Sequence, residues 1–220
     1  MDDVVTTSQV RIDGRFNGPP GSANGGVTCG LLASLVDAPV VQVTLRRPPP
    51  LDRDLRLENG LLLDGQTLIA EAAEGTVDVE PPASVGLERA GGSTYDGLLV
   101  HPFPTCFVCG PEHPSGLHLY PGRVEEGHVA CVWTPDSASE VMIWAALDCP
   151  GGWAAGLAAR PMVLGRMSLR IDAPAQVGVP YVAQGWITGG EGRKVHTGTA
   201  LYDESGAVLA VAQQTWIALL

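Results

Sequence analysis

Two stretches of the chain repeat one order of apolar and polar positions. In GSANGGVTCGLLASLVD (21–37) a glycine pair precedes a run of small and apolar residues. Val27, Leu31 and Leu35 recur there at every fourth position, the spacing that gathers side chains on one helical face. After Pro39 the β-branched run VVQVTLRR (40–47) suits a strand, and Pro48-Pro49-Pro50 ends it. In IWAALDCPGGWAAGLAARP (143–161) a glycine pair again lies in a small, apolar stretch, VLGRMSLRID (163–172) repeats the strand, and Pro174 follows. Val-Thr-Leu-Arg at 43–46 matches Met-Ser-Leu-Arg at 167–170, and Gly25-Gly26 matches Gly151-Gly152, an offset of roughly 125 residues that reads as a duplication.

These patterns predict helices near 26–37 and 150–160, packed side by side. PYVAQGWIT (180–188), RKVHTGTALYD (193–203) and AVLAVAQQTWIAL (207–219) alternate or run apolar, as antiparallel strands do, and Asp203-Glu204-Ser205-Gly206 is a turn between the last two. A helix followed by a meander of strands is an α+β pattern, a sheet wrapped on a helix. Residues 76–105, with Pro81-Pro82, Gly91-Gly92, Pro102 and Pro104, lack strong periodicity and read as a linker or long crossover. The expected organisation is an N-terminal half over 1–75, this linker, and a C-terminal half over 106–220.

Composition narrows the classes of function. A chain of 220 residues, 45% hydrophobic, buries a core without covalent staples. The formal net charge of -11 argues against a general binder of nucleic acid or anionic membrane. The arginines do cluster: Arg46, Arg47, Arg53 and Arg56; Arg160, Arg166 and Arg170; Arg193 beside Lys194. They read as solvated strand edges or as contacts for the phosphates of a small ligand. Five cysteines do not make a secreted disulfide framework, and MDDVVTTSQV has neither the basic nor the apolar region of a secretory signal. A reduced protein in the cytoplasm is the expectation.

CFVCGPEHPSGLHL (106–119) resembles the opening segment of many hotdog-fold thioesterase-like proteins, Cys-x-x-Cys-Gly followed by Asn-Pro-x-Gly-Leu. APAQVGVPYVAQGWI and GRKVHTGTALYDESGAVLAVAQQTWI resemble the later hotdog strands, and RRPPPLDRDLRLE (46–58) resembles the matching segment of the first half. The resemblance covers most of the chain outside 76–105. It implies a double hotdog, two antiparallel sheets each wrapped on a central helix. It also implies acyl-CoA or acyl-carrier thioesters bound where the halves meet, with no cofactor, no metal, and a homo-oligomer as an open option.

The site expected from the residues is a helix N-terminus. Glycine has no Cβ, so backbone N–H groups approach a ligand there, and the partial positive charge of a helix start stabilises an oxyanion. Gly25, Gly26, Thr28, Gly151 and Gly152 are the expected substrate-binding residues, with Ser22 a weaker neighbour. Asn24 and Asp148 are the expected catalytic residues, each read equally as a helix N-cap. The family often has His-Gly-Gly and a helical acid two turns on. This chain has Asn24 and Pro150 before its glycine pairs, and Ala33-Ser34 or Ala159-Arg160 where that acid stands.

Other groups read as structural. Cys106 and Cys109, with His113, His101 and His118 nearby, lack the second ligand pair of a zinc site and read as an inward-packed turn. Asp96 and His101 have the spacing of a hydratase acid–base pair but lack the rest of that motif. Trp133, Trp144, Trp153, Trp186 and Trp216 read as core or as the wall of an acyl pocket. Three functions follow in order: thioester hydrolysis, acyl-thioester binding without catalysis, and enoyl hydration or dehydration.

Overall fold

The computed structural model describes residues 7–219. The elements in order are β1 (Thr7–Arg11), α1 (Gly25–Ala33), β2 (Val40–Leu45), β3 (Asp54–Glu58), β4 (Leu61–Asp64), β5 (Thr67–Glu74) and the short α2 (Leu87–Gly91). They continue with β6 (Gly122–Glu125), β7 (His128–Trp133), α3 (Glu140–Ala154), β8 (Met162–Ile171), β9 (Tyr181–Glu191), β10 (Lys194–Tyr202) and β11 (Val208–Ala218).

The strands form one antiparallel sheet in the order β1-β3-β4-β5-β2-β8-β11-β10-β9-β7-β6. The two antiparallel sheets expected, each on its helix, are thus halves of one sheet. With β6 set aside the order is palindromic: β1 answers β7, β2 answers β8, and β3, β4 and β5 answer β9, β10 and β11. The sheet is continuous because the two answering strands β2 and β8 pair with each other. Val43 lies opposite Met167 in that register, and these are the two positions matched by the sequence repeat. Pairing them removes two open strand edges from the middle of the molecule.

α1 and α3 lie on the same inner face and pack on each other. Their closeness follows from Gly26 and Gly30, one helical turn apart. A Cβ on Gly26 would stand 2.6 Å from the Trp144 carbonyl oxygen and 2.9 Å from Ala145 Cα. A Cβ on Gly30 would stand 2.8 Å from Val141 Cα. The glycines therefore set a backbone-to-backbone contact that any side chain would open.

The second helix departs from expectation. It runs over Glu140–Ala154 and not 150–160, so Pro150-Gly151-Gly152 closes it and does not start it. Proline inside a helix removes a donor and crowds the preceding turn. Side chains of the sheet hold the turn before the proline: Thr199 Oγ1 donates to the Leu147 carbonyl at 2.9 Å, and Gln214 Nε2 donates to the same oxygen at 2.6 Å. The glycines then let the helix end lie flat on the strands. A Cβ on Gly151 would run into Gln214 and Thr197, and one on Gly152 into the Trp216 ring.

Residues 76–105 form a packed crossover. Val77, Val79, Val85 and Leu87 cover Ala130, Val182, Ala200, Tyr202 and Val211 on the outer face of the sheet. Val85 N–H donates to Gln184 Oε1 at 2.6 Å, and Tyr202 Oη donates to the Pro82 carbonyl at 2.7 Å. β9 over Tyr181–Gly185, β10 over Thr197–Tyr202 and β11 over Leu209–Ala212 are thus covered on both faces and buried at every position, where a half-exposed strand would alternate.

Candidate active site at the helix junction

Asn24 caps α1, as its sequence position indicates: its Oδ1 accepts the Val27 N–H at 2.9 Å. Its other end does something the sequence does not show. Asn24 Nδ2 donates to Asp148 Oδ2 at 2.9 Å, and the same oxygen accepts the Gly26 N–H at 2.9 Å. A carboxylate from the helix of one half thus sits on the first turn of the helix of the other, where the N–H groups and the dipole favour negative charge. Asp148 lies in the interior of α3, so the N-cap reading is corrected; its cap is made on a different helix.

Asp148 is 2% exposed, and among the described residues its Oδ1 has no hydrogen-bond partner. Burial pushes its pKa up to about 7, against the lowering effect of the Gly26 N–H and of Asn24.

A groove of about 460 Å³ opens at the start of α1, lined by Gly25 but by neither Asn24 nor Asp148. Its floor comes from both sides of the junction: Ser22, Ala23 and Gly25 at the start of α1, Leu45 from β2, Val163–Gly165 from β8 and Ile217 from β11. Arg46 and Arg47 stand at its mouth and are exposed. Arg46 is paired with Glu71, whereas Arg47 has no carboxylate within ion-pair distance among the described residues. Gly25 lines the groove, and no acceptor among the described residues takes its N–H. Of the first-turn donors, Gly26 is engaged by Asp148 and Val27 by Asn24, so Gly25 is the donor left to a ligand.

The expected residues separate on this geometry. Asn24, Gly25, Gly26 and Asp148 come together. Thr28 is fully buried and spends its hydroxyl on the Asn24 carbonyl at 2.9 Å, away from the groove. Gly151 and Gly152 face the sheet, so a second oxyanion site at that pair is ruled out by its position at a helix end. Asp96 is exposed and pairs with Arg123, while His101 packs edge-to-face against Trp153, so they form no dyad. Trp133, Trp144, Trp153 and Trp216 are core residues and none lines the groove.

Gln214, Thr197 and Thr199 escape a reading of the sequence. All three are buried beneath α3, with Thr197 Oγ1 donating to Gln214 Oε1 at 3.1 Å and Trp216 Nε1 donating to it at 2.9 Å. The available signal is Gln213-Gln214 inside the otherwise apolar run AVLAVAQQTWIAL, since a polar group in a buried strand needs partners.

No protein-family model and no curated protein matches the sequence. Solved structures do match. A conserved protein of unknown function with hotdog fold from Alicyclobacillus acidocaldarius superposes at a TM-score of 0.67 with 10% identity, over 100% of this chain and 95% of that one. The tesB protein of Mycobacterium avium subspecies paratuberculosis gives 0.63 and 12%, covering 97% and 93%. An acyl-CoA thioesterase II from Mycobacterium marinum gives 0.61 and 10%, again covering 97% and 93%. Taken with the palindromic sheet and its two central helices, this likeness over nearly the whole length shows that the chain has the hotdog fold.

Proposed function

We propose that the chain is a fused pair of hotdog units, over 1–75 and 106–220 with 76–105 as the crossover, that binds an acyl thioester in the junction groove and hydrolyses it at the start of α1. One observation carries the reading: the buried Asp148 carboxylate is held by Asn24 and Gly26 with one oxygen uncommitted, next to a free helix-start N–H that lines an apolar groove. The thioesterase names of the structural relatives support the substrate class. The groove suits an acyl or pantetheine chain, and Arg46 and Arg47 suit the phosphates of its carrier.

In this reaction a water enters past Gly25 and Asp148 Oδ1 takes its proton. The oxygen bonds to the thioester carbon, and the oxyanion rests at the Gly25 N–H. Collapse breaks the C–S bond and the proton passes to the leaving sulfur. Five buried free cysteines support a reducing, cytoplasmic setting.

One observation favours binding without hydrolysis: Asp148 is closed off from solvent in this conformation. Thiol release from a panel of acyl-CoA thioesters decides between the two. Hydrolysis requires turnover in the parent and a loss of at least about 100-fold in Asp148→Asn, the range for a general base. Saturable acyl-CoA binding with no CoA released establishes the binding protein instead.

A further inference from the structure

The segment C106-F-V-C109-G reads from sequence as a structural turn because no second ligand pair follows it. The fold supplies one more sulfur from elsewhere. Cys149, on α3, reaches the turn, and the sulfurs of Cys106, Cys109 and Cys149 all lie within 4.8 Å of one another, all buried. Cys106 Sγ and Cys149 Sγ are 3.8 Å apart. A tetrahedral zinc site with bonds of about 2.3 Å has edges of about 3.8 Å, so this pair already has the spacing of two ligands on one ion. A disulfide would need the sulfurs at about 2.05 Å.

The surroundings are those of sulfur ligands. Gly110 N–H donates to the Cys106 carbonyl at 2.8 Å, and a side chain at Gly110 would strike the backbone of Pro104 and Cys106. The turn is therefore tight enough to bring both sulfurs to one side. Asn24 Nδ2 lies 3.9 Å from Cys106 Sγ. Independently, Trp153, only 7% exposed, has an indole N–H without a partner among the described residues, and its ring packs on Tyr95, whose hydroxyl donates to the Cys109 carbonyl at 2.8 Å. An N–H donor near a sulfur cluster, such as the Asn24 amide, offsets part of the excess negative charge of three thiolates on a divalent ion. His101 is not a fourth ligand: its Nδ1 accepts the Phe103 N–H at 2.9 Å, which leaves the proton on Nε2.

We propose that Cys106, Cys109 and Cys149 form a binding site for one thiophilic cation, with Zn²⁺ the fitting ion, leaving one coordination position for a small exchangeable ligand. Soft thiolate sets select Zn²⁺ over hard cations, and its lack of geometric preference suits two ligands on a tight turn and one on a helix. The site tethers the 106–110 turn to α3 through metal bonds, and Asn24 links it to the Asp148 pair.

The test uses the full chain, reduced and stripped with a chelator, then titrated with Co²⁺ and Zn²⁺ alone. One equivalent of Co²⁺ should give thiolate charge-transfer and tetrahedral d–d absorption, displaced by Zn²⁺. Cys149→Ser and Cys109→Ser should weaken binding by more than about 100-fold, beyond what loss of a supporting residue costs a metal site. Cys29→Ser and Cys131→Ser, whose thiols lie elsewhere in the core, should leave it unchanged. Should a ligand variant fail to fold, alkylation of the parent with and without Zn²⁺, read by peptide mass, answers the same question: Zn²⁺ should slow modification of Cys106, Cys109 and Cys149 relative to Cys29 and Cys131. No Co²⁺–thiolate bands, binding retained in Cys149→Ser, or equal alkylation of all five cysteines with and without Zn²⁺ would overturn the site.

Discussion

Replacing Gly26 with alanine tests the central claim that the two helices meet backbone to backbone. The new methyl group would lie 2.6 Å from the Trp144 carbonyl oxygen and from Asp148 Cβ, and 2.9 Å from Ala145 Cα. Two of these are main-chain atoms of α3 and cannot rotate away. Overpacking of this kind costs about 1–3 kcal/mol. Moving α1 outward also stretches the Gly26 N–H bond to Asp148, and a hydrogen bond to a charged group contributes about 1.5–3 kcal/mol. Alanine returns about 1 kcal/mol of helix propensity. The expected net loss is about 3 kcal/mol, a fall in Tm of about 6–12 °C for a chain of this size. Gly25→Ala is the internal control: its methyl group would meet only side-chain atoms, Leu164 Cδ2 at 2.9 Å, Leu164 Cβ at 3.0 Å and Leu45 Cδ1 at 3.4 Å, of which the two methyl ends can rotate away. It should melt within a few degrees of the parent. Thermal and urea unfolding of both variants checks this. A Gly26→Ala protein that melts within about 2 °C of the parent would refute the close contact and, with it, the placement of Asp148 on α1.

Other substitutions probe the remaining parts. Gln214→Ala should destabilise by about 3 kcal/mol in urea unfolding, because it orphans the Thr197 hydroxyl, the Trp216 N–H and one donor to the Leu147 carbonyl in the interior. Arg47→Glu should raise the Kd or KM for a CoA thioester by roughly 10-fold with kcat and Tm unchanged, and added salt should shrink the difference. His128 is held below the ordinary histidine pKa, mainly by burial, so the unfolded chain binds its proton more readily. Its contribution to stability is therefore present above the unfolded pKa and is lost as pH falls; the stability–pH slope between pH 7 and 5 should be shallower in His128→Gln.

Local chemistry made part of this protein legible in the sequence. Asn24 before two glycines and an apolar run is a helix start, and it is one in the structure. Val40–Leu45 and Met162–Ile171 were readable as matching strands from β-branched and apolar content, and their match fixed the duplicated plan. The start of the second helix was not readable, since Pro150-Gly151-Gly152 looks like a beginning by local rules. It sits at an end, where Thr199 and Gln214, some 50 and 65 residues on, hold the Leu147 carbonyl in the turn before the proline.

What only the tertiary structure decided is which residues meet. Asn24 and Asp148 are 124 positions apart, and Cys106 and Cys149 are 43 apart. Gly26 reads as a place for a ligand, yet its absent side chain makes room for α3 and its N–H goes to Asp148, which leaves Gly25 as the donor in the groove. The chain pattern sets periodicity, caps and turns, because these depend on neighbours within a few residues. The crossing of α1 and α3, and so the address of every buried polar group between them, is set by the pairing of β2 with β8, a contact no local pattern encodes.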